Sequence, residues 1–222
     1  MIPWQHLGTS SIPGGAGELR LKRRGAEFSI MLGRIELMNS RLSGSEEALA
    51  TLTSARLTDC KAPRVLIGGL GMGFTLRAAL PAFGPRASLT IAELVPAVVD
   101  WARGPMAELF AGVLDDPRVH IVVDDVGAVM RAGTYDAILL DVDNGPDGLT
   151  RASNDALYTP QGLAAAKSAL APGGVLAVWS CAPDDAFLAR LKRAGFKSVE
   201  QHTVRAHRGT GGAKHTIWLA VR

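Results

Sequence analysis

Arg64-Val65-Leu66-Ile67-Gly68-Gly69-Leu70-Gly71-Met72-Gly73-Phe74 opens on a short apolar run and closes on a glycine cluster, and Leu89-Thr90-Ile91-Ala92-Glu93 follows it. A strand, a glycine turn, a helix and a second strand ending in an acid about twenty residues on form the pattern of a βαβ unit that cradles a nucleotide. A residue without Cβ makes the tight turn and lets main-chain N–H groups approach a ligand. Gly69, Gly71 and Gly73 recur at spacing two, whereas a dinucleotide fingerprint would require glycine at Phe74, which argues against a nicotinamide dinucleotide.

Working outward, the chain alternates apolar strands and helices. Strands are expected at 65–68, 89–93, 119–123, 137–140 and 175–179, with helices at 74–80, 95–101 and 161–170, the last stopped by Pro172-Gly173-Gly174. Continuous apolar strands separated by helices predict a parallel sheet covered on both faces. After a helix at 184–194, strands at 198–204 and 216–221 are joined by a polar, glycine-rich link too short for a crossover, so they must be antiparallel neighbours. The fold class is therefore α/β, a Rossmann-like, mostly parallel sheet with a C-terminal antiparallel hairpin. Before it, residues 1–17 read as an irregular arm, 18–39 as a small β-meander and 43–57 as a helix with acids in its first turn. A division into 1–58 and 59–222 follows from the break at 59–63.

The strand ends carry the chemistry. Glu93 ends the second strand, Asp124-Asp125 the third, and Asp141-Val142-Asp143-Asn144 the fourth, and in an open α/β sheet such points line one crevice. Glu93 is a two-oxygen acceptor matched to the vicinal hydroxyls of a ribose. Asp125 can accept from an adenine amino group, with Asp124 its rival for that place. Asp141 lies where a cationic tail would reach.

Composition narrows the classes. The chain has 222 residues, 47% of them hydrophobic, enough for a core, and no apolar run long enough to span a bilayer or serve as an export signal, so a cytoplasmic protein is expected. Cys60 and Cys181 are too few and too distant for a disulfide framework, and His6, His120, His202, His207 and His215 form no ligand set, so no metal is expected. The formal charge is +3 and the clusters Arg20-Lys22-Arg23-Arg24 and Arg205-His207-Arg208-Lys214 lack the interleaved aromatics of a base-stacking platform; they read as solvated faces. Trp4, Trp101, Trp179 and Trp218 are scattered and read as packing residues.

With these residues in place, the chain resembles the spermidine synthase (polyamine aminopropyltransferase) family within the class I S-adenosylmethionine-dependent methyltransferase fold. Leu32-Gly33-Arg34-Ile35-Glu36 is similar to that family's D-G-x-x-Q hairpin, and Ser45-Glu46-Glu47-Ala48-Leu49-Ala50 to its Y-Q/H-E-M-x-A helix. Val65 to Gly73 is similar to V-L-I-I-G-G-G-D-G-G, Tyr135 to Asp141 to Y-D-V-I-I-x-D, and Leu157-Tyr158-Thr159 to L-F-T. The resemblance implies S-adenosyl-L-methionine or its decarboxylated form as cofactor, and a binding set of Gly69, Gly71, Gly73, Glu93, Asp124, Asp125, Asp141 and Glu46. It also implies a small-molecule acceptor and a homodimer assembled beside an exposed Leu37-Met38.

The departures fall on chemistry. The family's glycine loop carries an Asp that holds the amine of an aminopropyl arm, where this chain has Gly71; Asn144 stands where the second Asp of D-S-S/T-D-P would act; Ser45 replaces a tyrosine, and Glu36 and Glu46 replace glutamines. Loss of an acid beside the cofactor's tail favours the intact, carboxylated cofactor, hence methyl transfer to a small polar or amine acceptor, with Asp143 as base and Asp141 orienting it. Aminopropyl transfer and a non-catalytic nucleoside-binding module are the alternatives. Asn144-Gly145-Pro146 lacks the second proline and aromatic of nucleic-acid amino-methylating loops, so a nucleic-acid substrate is not expected. Residues 208–212 read as a hairpin turn, with a lid as the alternative.

Overall fold

The structure, a computed structural model, describes residues 2–14, 17–57, 60–142, 146, 152–207 and 212–222. Two sheets organise it. The N-terminal sheet is an antiparallel meander of β1 (Gln5–Ser11), β2 (Glu18–Arg24), β3 (Glu27–Leu32) and β4 (Ile35–Asn39), in that order. Helix α1 (Gly44–Ser54) leads out of it.

The main sheet has seven strands. β5 (Arg64–Gly68), α2 (Phe74–Ala82), β6 (Ser88–Glu93), α3 (Pro96–Arg103), α4 (Ala107–Phe110), β7 (Val119–Val123), α5 (Val126–Ala132) and β8 (Tyr135–Leu140) run in sequence. Then come α6 (Ala152–Asp155), α7 (Pro160–Ala169), β9 (Leu170–Ser180), α8 (Asp185–Arg193), β10 (Ser198–Arg205) and β11 (Lys214–Val221). The spatial order is β10-β11-β9-β8-β5-β6-β7, with β9, β8, β5, β6 and β7 parallel and β11 and β10 added antiparallel. The chain winds outward from β5 to β7 and then returns to the other side of β5 with β8. This reversal opens a crevice between the carboxyl ends of β5 and β8, the topological switch point at which open α/β sheets bind ligands.

Val65, Leu66 and Ile67 are fully buried, as are Ala137, Ile138 and Leu139 beside them, which explains why these central strands read as uninterrupted apolar runs. One core joins both sheets: Leu21, Phe28, Ile30 and Leu49 pack in the same cluster as Ile67, Leu89 and Ile91. The opposite face of the main sheet packs Leu66, Ile138 and Val178 against Tyr158, Leu163, Phe187 and Trp218.

Three expectations need correction. Residues 5–11 are not irregular: β1 pairs with β2 from Gln5↔Arg23 to Ser11↔Glu18, with a register shift at His6/Gly8. Its Gln-His-Leu-Gly-Thr-Ser-Ser has no apolar alternation because it is an edge strand held by main-chain bonds. Pro172-Gly173-Gly174 does not precede β9 but lies inside it, because Leu170 already pairs with Tyr135 and the register shifts before Val175 meets Ala137. Helix α5, absent from the sequence reading, is a short segment containing Gly127; it is set by Asp125, whose side chain accepts from Ala128 N at its N-terminus.

Candidate active site

The glycine turn is held at both ends. Gly69 N donates to Ala92 O at 2.9 Å and Gly73 N to Leu70 O at 2.8 Å. Gly69 has φ +91°, and a Cβ there would overlap the Asp141 carbonyl oxygen; Gly73 has φ +74°, and a Cβ would overlap the Phe110 ring. The first glycine thus lets β5 and β8 part company at contact distance, and the last lets α2 start against Phe110.

Glu93 is 8% exposed, and its two oxygens are set by backbone: Oε2 accepts from Leu70 N and Oε1 from Val95 N, each at 2.9 Å. Burial pushes its carboxyl above the usual range, and those N–H groups pull it back. The backbone N–H groups of Gly71 and Leu94 also favour the ionised carboxylate, and Glu93 lines the cleft as a two-oxygen acceptor. Asp125 spends Oδ1 on Ala128 N at 3.1 Å, and the more exposed Asp124 accepts from Asp125 N at 2.7 Å.

Gly69, Gly71, Glu93, Asp124, Asp125 and Asp141 line one cleft of about 790 Å³, including its open mouth. Val95, Val98 and Val126 give it an apolar wall, and Ile12, Leu19, Leu37 and Met38 of the N-terminal sheet and its connections close the other side. The segment expected as a loose arm therefore supplies part of the wall. Leu37 and Met38, expected on an outer face, line the cleft instead.

A second cavity of about 630 Å³, including space open to solvent, adjoins it through Leu37, Met38, Gly71 and Asp141, and adds Glu46, Gly73, Asn39, Phe74 and Trp179. Here the charge balance differs from the sequence expectation. Gly71 carries no acid, and a Cβ at that position would lie 3.1 Å from Met38 Sδ, but Glu46 brings a carboxylate to the same cavity from α1. Asp141 is pushed up to about 7, first by burial and then by the negative charge of Glu46, against the opposing hydrogen bond from Thr75 Oγ1 at 2.5 Å. Burial likewise raises Glu46. Two carboxylates that resist ionising together make a receptor for a cation. Among the described residues lining the two cavities there is no Lys, Arg or His that would receive a carboxylate.

Behind Glu46 stands a polar chain that sequence reasoning missed. Ser45 is fully buried; its Oγ donates to Glu46 Oε2 at 2.7 Å and lies 2.8 Å from His215 Nδ1. The His215 ring packs edge-on against Trp179 at 4.8 Å, and Trp179, 8% exposed, keeps an indole N–H with no hydrogen-bond partner among the described residues. Thr75, Trp179 and His215 had no motif to mark them: they come from α2, β9 and β11, and only the fold brings them beside Ser45.

Every described residue of the expected site thus borders these joined cavities. Asp143 and Asn144 lie outside the described residues, as do 208–211 of the hairpin turn. Among the described residues, no group of His, Cys, Asp and Glu is arranged to hold a metal ion, and no helix is long and apolar enough to cross a membrane.

No protein-family model matches the chain. It is 34% identical over 149 residues to a polyamine aminopropyltransferase of Mycobacterium tuberculosis, covering 62% of this chain and 28% of that protein. It is 35% identical over 154 residues to polyamine aminopropyltransferase 2 of Pseudomonas aeruginosa, covering 64% of this chain and 41% of that one. The chain therefore spans well under half the length of these curated relatives. Among solved structures, spermidine synthase from Thermotoga maritima superposes with a TM-score of 0.74 at 19% identity, covering 98% of this chain and 72% of that one. In fold the chain is spermidine-synthase-like, and over 62% to 64% of its length its sequence is similar to polyamine aminopropyltransferases.

Proposed function

We propose that this chain binds decarboxylated S-adenosylmethionine and transfers its aminopropyl group to a small amine. The observation that carries the reading is the Glu46/Asp141 pair at the tail end of the cleft, with no lining cation among the described residues. Either cofactor's tail brings an ammonium that relieves that pair, but the intact one also brings a carboxylate, a third negative charge that no described lining cation receives. The names of the curated relatives support the same reading. Methyl transfer from the intact cofactor draws its support from the missing acid at Gly71 and is the second reading.

The residues divide the work. Glu93 accepts from the ribose hydroxyls, Asp125 or Asp124 from the adenine amino group, and the Gly69–Gly73 turn admits the nucleoside against the backbone. When bound, the sulfonium supplies an electrophilic carbon and a neutral thioether as leaving group. Asp141 and Glu46 hold the ammonium groups and accept the proton that the attacking nitrogen must lose; Asp141, raised to about 7, is matched to that task near neutral pH. Met38, Leu37 and Trp179 exclude water from the reacting end. Asp143, from sequence alone, is the alternative base to this pair, with Asn144 its neighbour. The expected form is a cytoplasmic homodimer, checked by fractionation and light scattering.

Titration calorimetry with the decarboxylated and the intact cofactor, followed by mass spectrometry of products from a diamine panel, tests the reading. We expect tighter binding of the decarboxylated form and an aminopropylated product; tighter binding of the intact form with a methylated product would replace it by the second reading.

A further inference from the structure

Group transfer to an amine releases a proton. The nitrogen arrives as R–NH3+ and gives up one proton; the C–N bond forms as the C–S bond breaks, and the sulfur keeps the electron pair. The product nitrogen leaves as a secondary ammonium, so one proton per turnover must escape the cavity. Among the described residues, no hydrogen-bonded chain leads outward from Asp141. The Thr75 hydroxyl on it turns back toward the Glu46 carbonyl oxygen at 3.5 Å, which cannot carry a proton onward.

Glu46 does offer one. Ser45 Oγ sits between Glu46 Oε2 at 2.7 Å and His215 Nδ1 at 2.8 Å, and His215 is half-buried, at the start of β11. We propose that Ser45 and His215 form the path by which the proton leaves, from the Glu46 carboxyl through the Ser45 hydroxyl to the imidazole and then to solvent. The inference rests on the amine-directed transfer proposed above.

The path has two readable states. With Glu46 ionised, the Ser45 hydroxyl donates to the carboxylate, so neutral His215 must donate from Nδ1. With Glu46 protonated, Glu46 donates to Ser45, Ser45 donates to Nδ1, and neutral His215 carries its proton on Nε2. Passage of one proton makes the imidazolium, which releases Nε2–H and leaves the first state. Burial lowers His215 and raises Glu46, which brings the two groups closer in proton affinity. Among the described residues, the charged and titratable groups placed beside His215 are Glu46, reached through Ser45, Lys214 next to it on β11, and Arg205 opposite Lys214 on β10; β9 contributes Trp179.

Histidine-labelled full-length protein, followed by long-range proton–nitrogen NMR through the Glu46 titration, tests the path without turnover. We expect neutral His215 as the Nδ1–H form where Glu46 is ionised, a switch toward Nε2–H as Glu46 gains its proton, and loss of the switch in Ser45→Ala. A neutral tautomer that stays on Nε2 throughout overturns the path. In turnover, His215→Gln keeps a hydrogen-bonding group but carries no proton; we expect kcat to fall tenfold or more at neutral pH, amine KM to hold, and added imidazole to restore rate. An unchanged kcat and pH profile would equally overturn it. A tautomer switch in a wild-type protein that alkylates no amine supports the connected chain and overturns the transfer reading alone.

Discussion

The two halves of the cleft are built by different means. At the end proposed for the nucleoside the groups are main chain and strand ends: a glycine turn, Glu93 locked by Leu70 N and Val95 N, and Asp125 locked by Ala128 N. At the tail end they are side chains from β4, α1, α2, β8 and β9, crowded so that Glu46 and Asp141 resist ionising together. The first half is fixed by local geometry and tolerates substitution badly. The second is fixed by charge, and its substitutions should alter chemistry more than folding.

The largest effect that would break this contrast is at the glycine turn. Gly69→Ala meets the Asp141 carbonyl and must adopt a left-handed backbone, which together cost about 2–5 kcal/mol. We expect urea denaturation to show that loss and calorimetry to show no nucleoside binding. A stable variant that still binds would mean that the turn is more pliable than its contacts imply.

The tail end should behave in the opposite way. Asp141 has a folded-state value of about 7 against 3.8 in the unfolded chain. Its protonated form is therefore favoured in the folded state: this contribution to stability is complete below about pH 4 and is lost as pH rises toward 7. Asp141→Asn removes that loss. We expect its stability advantage over wild type to grow from near zero around pH 4 to on the order of 2–4 kcal/mol above pH 7, while transfer falls about 10²–10⁴-fold. A variant destabilised at every pH would show that the carboxylate is a structural group rather than a strained functional one.

This division also decides what the sequence made legible. The sheet, its hairpin and the acids at 93, 124–125 and 141 were readable because each depends on residues adjacent in the chain: apolar runs, glycines and the acids that end them. The edge strand β1 was not, since main-chain pairing leaves no side-chain period, and neither was the insertion of Pro172 to Gly174 within β9. The charge at the tail end was legible only in part: the family resemblance put Glu46 in the binding set, but no spacing ties it to Gly71, twenty-five positions later, and it reaches the same cavity because α1 packs beside β8 and β9. Ser45 and His215 are farther apart still, and nothing local ties a serine on a helix to a histidine on the last strand.

Glu93→Gln tests the nucleoside end at intermediate size. An amide presents only one acceptor oxygen, so either Leu70 N or Val95 N would face an NH2 group in a buried place. We expect a stability loss of about 1–3 kcal/mol, and a tenfold or greater loss of nucleoside affinity by calorimetry. Full affinity with reduced stability would separate the structural duty of Glu93 from the ligand contact proposed for it.

The smallest effects separate Asp125 from Asp124. Asp125 caps α5, so Asp125→Ala should cost about 1 kcal/mol in stability whatever it does for a ligand. Asp124 is the more exposed, and among the described residues its side chain accepts only from the next residue's N–H, so Asp124→Ala should change stability by no more than about 0.5 kcal/mol. The informative quantity is the ratio of adenosine to inosine affinity, because inosine lacks the amino group. If Asp125 reads the adenine edge, Asp125→Ala should collapse that ratio toward one while Asp124→Ala leaves it intact. The reverse result would assign the contact to Asp124 and leave Asp125 as the helix cap. It would also narrow the contrast between the two halves of the cleft, with a ligand contact at the proposed nucleoside end made by a group that the fold does not need.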